Sequence, residues 1–179
     1  MNYYSCVTTP IGNITIASGG EALTGLWFDG QKYDRDGLDS NCMQGDLPIF
    51  EETKEWLSHY FSGQEPKKRP LLQLSGTPFQ QLVAQIMSEI PYGQVVTYGE
   101  IATQVSKQLG REHMSAQAIG NAVGHNPISL LIPCHRVVGA DGSLTGYAGG
   151  VWRKKYLLEL EGIDLKGAGL YLPKKKNPQ

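Results

Sequence analysis

A thiol and an imidazole stand side by side at Cys134-His135, behind the apolar run Leu130-Leu131-Ile132-Pro133 and ahead of Arg136-Val137-Val138-Gly139. The thiolate is the nucleophilic form of cysteine, and an adjacent imidazole commonly generates it, so the pair makes a candidate nucleophile and base. The branched run reads as a buried strand delivering the thiol to a pocket floor. An isolated cysteine in an apolar segment is more often packing than chemistry. Pro133, His135 and Arg136 are poor core residues, however, and they tip the reading toward function.

A third group belongs with this pair. In a helix predicted from about Val151 to Glu161, Leu157 and Leu158 lie four and three residues before Glu161, which puts its carboxylate on the apolar face. A buried carboxylate is costly unless paired. His135 is the natural partner: Glu161 would accept from one ring nitrogen and leave the other to take a proton. Capping near Gly162 is the alternative, but an acid at a helix C-terminus opposes the macrodipole. Neighbours on an extended strand point to opposite faces, so His135 is not expected to touch the Cys134 sulfur directly.

Two halves must position these groups. Residues 3–9, 12–18 and 23–28 read as an antiparallel meander broken at Pro10-Ile11-Gly12-Asn13 and Gly19-Gly20-Glu21, with the clearest alternation in Ile14-Thr15-Ile16-Ala17. Residues 30–46 read as a loop, and a helix near 49–61 offers Phe50, Trp56, Leu57, Tyr60 and Phe61 to the sheet. These aromatics read as core. Residues 62–76 read as a linker.

Thr77-Pro78-Phe79-Gln80 then has the form of a capping box opening a helix whose face is Phe79, Leu82, Val83, Ile86 and Ile90. Thr97-Tyr98-Gly99-Glu100 opens a second, with Ile101, Ala102 and Val105 inward. Ser115 caps a third, predicted over Ala116–His125 and closed by Asn126-Pro127. The last two helices with the turn between them suggest a helix-turn-helix. Ala116, Ala118, Gly120, Ala122 and Gly124 make its second helix thin, which suits close approach to a narrow minor groove; tight packing inside the core is the competing explanation.

The chain of 179 residues is 40% hydrophobic and 18% charged, ordinary for a globular protein. No run approaches the ~18 apolar residues that cross a bilayer, and Met1 to Cys6 lacks a signal-peptide pattern, so a cytoplasmic location is expected. Cys6, Cys42 and Cys134 are odd in number and far apart, which argues against a disulfide framework. No spacing suggests a metal. Residues 1–77 carry six basic and ten acidic side chains, and 78–179 carry ten and seven. A DNA partner would meet the basic, thiol-bearing half; an accident of solvated surface is the alternative for so small a difference.

Pro133-Cys134-His135-Arg136-Val137, with Asn126-Pro127 before it and Gly146-Tyr147-Ala148-Gly149-Gly150 and Glu161-Gly162 after, resembles the O6-alkylguanine-DNA alkyltransferases. The likeness is dense from Thr77 to Gly162 and rests on length and pattern in the N-terminal half. It implies an α+β fold. A small RNase H-like sheet-plus-helix lobe with its linker would occupy 1–76. A mostly helical domain with a winged helix-turn-helix and a short basic tail would occupy 77–179. It also implies direct-reversal DNA repair by a suicide methyltransferase: irreversible transfer of an alkyl group from guanine O6, with thymine O4 left open, to Cys134 after nucleotide flipping.

The same likeness supplies roles. Tyr98 would crowd the phosphate and hydrogen-bond the flipped base, the carbonyls of Cys134 and Val137 would accept its exocyclic amine, Tyr147 would form a wall, and Ala148 would offer an N–H to O6. Asn126 would brace the turn before the strand by its side-chain amide or act directly in catalysis, Arg136 would tie the strand to carbonyls, and a water would bridge His135 to Cys134. Ala116, Gln117, Ala118 and Gly120 would meet the minor groove of double-stranded DNA, Gln117 standing where many members have an arginine. Some members carry an N-terminal zinc, which Cys6, Cys42 and His59 could imitate only by folding together; no metal and no other cofactor is expected. The protein is expected to act as a monomer. Lys174-Lys175-Lys176 would touch phosphate or form a frayed tail. A turnover cysteine hydrolase or acyltransferase using Cys134, His135 and Glu161 and a non-enzymatic binder of alkylated DNA are the competing readings.

Overall fold

Alternating apolar residues build the N-terminal sheet at the expected bounds. In the computed structural model, which describes residues 1–174, β1 (Tyr3–Thr9), β2 (Gly12–Ser18) and β3 (Leu23–Phe28) form an antiparallel meander. The following loop contributes a two-residue strand that sequence pattern does not mark, β4 (Met43–Gln44), parallel to β1, giving the order β3-β2-β1-β4. Pro48, whose missing N–H is not needed in a first turn, opens α1 (Pro48–Phe61). This helix buries Phe50, Leu57 and Tyr60.

The outer edge of β3 is where the two halves meet. Residues 62–76 do not run free as a linker: Leu23 donates to the Leu71 carbonyl at 2.8 Å, and Gln73 donates back to Leu23 at 2.9 Å. Farther along, Leu26 donates to Pro127 and Ser129 donates to Leu26. One apolar core therefore runs from Ile14 and Phe28 through Ile86 and Ile119 to Leu157.

Both capping boxes form as the sequence predicts. Thr77 and Gln80 cap α2 (Pro78–Ser88) reciprocally, and Thr97 and Glu100 do the same for α3 (Tyr98–Leu109), each cap worth ~1 kcal/mol. Thr97 also ends β5 (Val96–Thr97). Gly110, at φ +64°, closes α3 in the left-handed conformation that favours glycine. Ser115 caps α4 (Ala116–Gly124), which ends one residue short of the expected His125. These helices pack through Val83, Met87, Ile101, Val105, Ile119 and Val123. Beyond them, β6 (Val137–Val138) pairs in parallel with β5, and a tight loop, closed by the Gly139 N–H on the Ser143 carbonyl, forms the wing. α5 (Val151–Leu160) completes the site. Lys175 and Lys176 of the basic tail lie outside the described residues.

The segment from Leu130 to Arg136, expected as a strand, is not extended. Leu130 has φ +69°, the Leu131 and Cys134 N–H groups each bond two residues back, and Cys134–Arg136 is a turn of 3-10 helix. The cause is Asn126, whose amide donates to the Ile132 carbonyl at 2.8 Å and accepts from the Ile128 N–H at 3.1 Å. Both ends of the run are thus wound around one side chain, as Asx residues do. Branched apolar residues serve a buried coil as well as a strand, so composition could not separate the two.

Candidate active site

The 3-10 turn presents three consecutive side chains to three surroundings. A 3-10 helix advances one third of a turn per residue, so Cys134, His135 and Arg136 point in different directions. Cys134 is 6% exposed, His135 is fully buried, and Arg136 is 8% exposed. No hydrogen bond joins the Cys134 sulfur to the imidazole; His135 Nδ1 is buried and has no protein partner.

Glu161 lies just past the last turn of α5 with its carboxylate wholly buried, and four donors meet it. Oε2 accepts from His135 Nε2 at 2.5 Å and from the Tyr60 hydroxyl at 2.6 Å. Oε1 accepts from Arg136 Nε at 2.7 Å and from the Gly93 N–H at 3.0 Å. A carboxylate has about four acceptor positions, so this one is saturated. Arg136 also donates to the Ile90 carbonyl, the tie expected of it, and its ion pair with Glu161 goes beyond that expectation.

Electrostatics fix the protons. Burial would raise the Glu161 carboxyl, but hydrogen bonds and charges from His135 and Arg136 outweigh it and hold the group at about 2. Burial keeps the His135 imidazole below its ordinary range despite Glu161, so the ring is neutral. An ionised carboxylate only accepts, so Nε2 carries the proton and Nδ1 keeps its lone pair. Burial also pushes the Cys134 thiol up, against the pull of Asn126 and Lys154. The resting pair is a thiol beside a base with a vacant lone pair.

The remaining residues assemble around the sulfur. Tyr98, at the start of α3, donates to the Thr145 carbonyl at 3.2 Å, and burial and the nearby Cys134 push its phenol up to about 12. Tyr147 is 8% exposed with an unpartnered hydroxyl; burial and then Cys134 raise it far above its ordinary value. The carbonyl of Val137 accepts from Lys154 Nζ, which also donates to the Thr145 carbonyl at 2.9 Å beside the Tyr98 hydroxyl, so the Thr145 oxygen has both its lone pairs engaged. The Ala148 carbonyl accepts from the Lys32 N–H.

A cleft of about 240 Å³ opens between Lys32, Tyr33, the α4 face at Gly120 and Gly124, and the loop at Gly146, Tyr147 and Ala148. A Cβ added at Gly120 or Gly124 would meet nothing within 4 Å, so these glycines do not serve tight core packing. They keep an open helix face. Ala116 and Gln117 are exposed at its start, and Ala118 is half-buried. Among the described residues no three His, Cys, Asp or Glu side chains group as a metal site, and Cys6, Cys42 and His59 do not come together. No helix there is long and apolar enough to cross a membrane.

Sequence reasoning missed three participants. Lys154, fully buried, shares the face of Leu157, Leu158 and Glu161 at the same helical spacing, and that signal was available. Burial lowers its ammonium to about 8. Tyr60 looked like a core aromatic because its ring is one, and the Gly93 N–H leaves no trace in side-chain pattern.

Residues 78–163 match the family model described as 6-O-methylguanine DNA methyltransferase, DNA binding domain, and residues 2–74 match its ribonuclease-like domain. A Haemophilus influenzae protein named methylated-DNA--protein-cysteine methyltransferase is 38% identical over 90% of this chain and 87% of its own. One of the same name from Mycobacterium bovis is 42% identical over 90% and 93%. The crystal structure of Mycobacterium tuberculosis OGT in complex with DNA superposes with a TM-score of 0.77 at 41% identity, over 89% of this chain and 92% of that one. With the buried Cys134, the saturated carboxylate of Glu161 and both family models matched in sequence order, the chain belongs to the 6-O-methylguanine DNA methyltransferase family.

Proposed function

We propose that the protein repairs DNA by accepting an alkyl group from guanine O6 onto Cys134, once per molecule. The observation that carries this reading is the unpartnered His135 Nδ1 in a buried site whose other nitrogen is locked on ionised Glu161. The Cys134 proton passes to Nδ1, with a water as the bridge that the family likeness supplies. The sulfur attacks the alkyl carbon, the carbon–O6 bond breaks, and the electron pair leaves on the base. The departing base, with Tyr98 as its hydrogen-bond partner, takes up one proton from solvent while His135 gives back the one it received, so neutral guanine and a neutral imidazole result and atoms and charge balance. The stable thioether left on Cys134 has no resolving thiol nearby, since Cys6 and Cys42 lie elsewhere in the fold.

The nucleotide must leave the duplex to reach this sulfur. The thin, open face of α4 favours a minor-groove approach, with Gln117 filling the gap that the nucleotide leaves. Val137 and Cys134 carbonyls, Tyr147 and Ala148 would frame the base, and Asn126 would act through the turn. A monomer suffices for this chemistry, and a reducing cytoplasm would keep the thiol free.

Incubation with duplex DNA holding O6-methylguanine, followed by intact mass, tests the proposal. One methyl should appear on Cys134, product should plateau at one equivalent, and Cys134→Ser should transfer none while keeping its fold. Repeated turnover would instead favour the hydrolase or acyltransferase reading, and DNA binding without a mass change would favour the binder.

A further inference from the structure

We propose that Tyr60, contributed by α1 of the N-terminal lobe, is a positioning residue of the alkyl-transfer site that sets the basicity of His135 through the carboxylate they share. The inference rests on the reading of Cys134 as the alkyl acceptor and names a group outside the half of the chain that bears the thiol.

The geometry separates the ring of Tyr60 from its hydroxyl. The ring is core: it is fully buried, stacks on Trp56 at 5.2 Å and meets Tyr92 and His135 edge-on. A phenylalanine would satisfy all of that. The hydroxyl instead reaches across to Oε2 of Glu161 at 2.6 Å, the same oxygen that holds His135 Nε2–H, and stands 3.4 Å from that nitrogen. The other three donors to Glu161 come from Gly93, His135 and Arg136.

Two donors on one carboxylate oxygen compete for its charge. A neutral O–H on Oε2 draws electron density from the Nε2–H···O contact and so weakens the stabilisation Glu161 gives to a protonated imidazole. With the hydroxyl present, His135 stays neutral and Nδ1 stays able to take the thiol proton. Without it, Glu161 would turn more of its charge on the imidazole, and the ring would take a proton from solvent at a higher pH. The other charged or titratable groups facing this pair are Arg136 and Lys154, which oppose protonation of His135, with Cys134, Tyr92 and Tyr147 nearby. None of them is removed by a change at Tyr60.

The test compares wild type with Tyr60→Phe in the single-turnover transfer rate on O6-methylguanine duplex across pH. Transfer should fail below the pH at which His135 protonates, and in Tyr60→Phe that midpoint should rise by about one unit. A ring-fluorinated tyrosine at position 60, a stronger donor with the same packing, should move it the other way and covers the case in which the phenylalanine variant does not fold. Opposite displacements support the proposal. An unchanged midpoint in a folded, transferring Tyr60→Phe, or in the fluorinated protein, overturns it and leaves the alkyl-acceptor reading intact. Wild type that transfers nothing to Cys134 overturns both.

Discussion

Replacing Glu161 with glutamine keeps the shape of the site and changes what it can accept. The carboxylate takes hydrogen bonds from Tyr60, His135, Arg136 and Gly93. A glutamine has one oxygen for two of them and an NH2 that must face the other two. Arg136 and the Gly93 N–H can only donate, whereas a phenol oxygen and a neutral imidazole nitrogen can also accept. The amide oxygen should therefore stay on Arg136 and Gly93, with its NH2 toward Tyr60 and Nε2. His135 then has to move its proton to Nδ1, and the lone pair that received the thiol proton is gone. General bases contribute ~10²–10⁴-fold, and the single-turnover rate of Glu161→Gln should fall by about that factor. Arg136 meanwhile loses its buried counter-charge, at a cost of about 3 kcal/mol. Rapid-quench kinetics on the O6-methylguanine duplex, urea unfolding and the 15N resonances of His135 read the three consequences separately. A variant that transfers at the wild-type rate with Nδ1 still unprotonated would refute this account of the relay.

Other expectations follow from the same contacts. Glu161 titrates at about 2 in the fold against 4.5 in an open chain, so its stabilisation is complete above pH 4.5 and lost as pH falls toward 2. Urea unfolding should show a loss of about 3 kcal/mol over that range, absent in Glu161→Gln. Lys154 has the same pH slope in a higher window: at about 8 in the fold against 10.5, the unfolded chain binds more protons in between. Stability should therefore rise by about 3 kcal/mol from pH 8 to 10.5 in wild type relative to Lys154→Met. Gly120→Leu adds a side chain where nothing lies within 4 Å and removes a helical glycine, so its melting temperature should hold or rise. Its affinity for duplex DNA should fall roughly tenfold, about 1.4 kcal/mol.

The first three strands, the helices and both capping boxes were legible because each rests on a local rule: alternation, the spacing of an apolar helix face, a threonine three residues before a glutamine or glutamate. The pairing of Glu161 with His135 was legible for a different reason, since a carboxylate on an apolar face demands a partner and few were on offer. The turn at Cys134 was not legible. Its shape is decided by one asparagine bonding six residues ahead, and the branched residues in between are equally at home in a strand. Tyr60 was hidden for a related reason: sequence pattern reports where a ring packs and is silent on where its oxygen points. Arg136 was half read, as a tie to carbonyls, because its charge partner sits 25 residues away, just past the last turn of another helix.

The outer margin of β3 is occupied along its length by segments from elsewhere in the chain, Leu71 to Gln73 at one end and Pro127 to Ser129 at the other. A proteolytic cut after residue 76 followed by separation of the halves would remove Pro127 to Ser129 and bare that end of the margin, leaving the Leu26 amide and carbonyl unmet and ready to template another chain. The isolated first half should therefore self-associate, and mixing it with the complementary fragment should restore solubility along with the shape of the thiol-bearing turn.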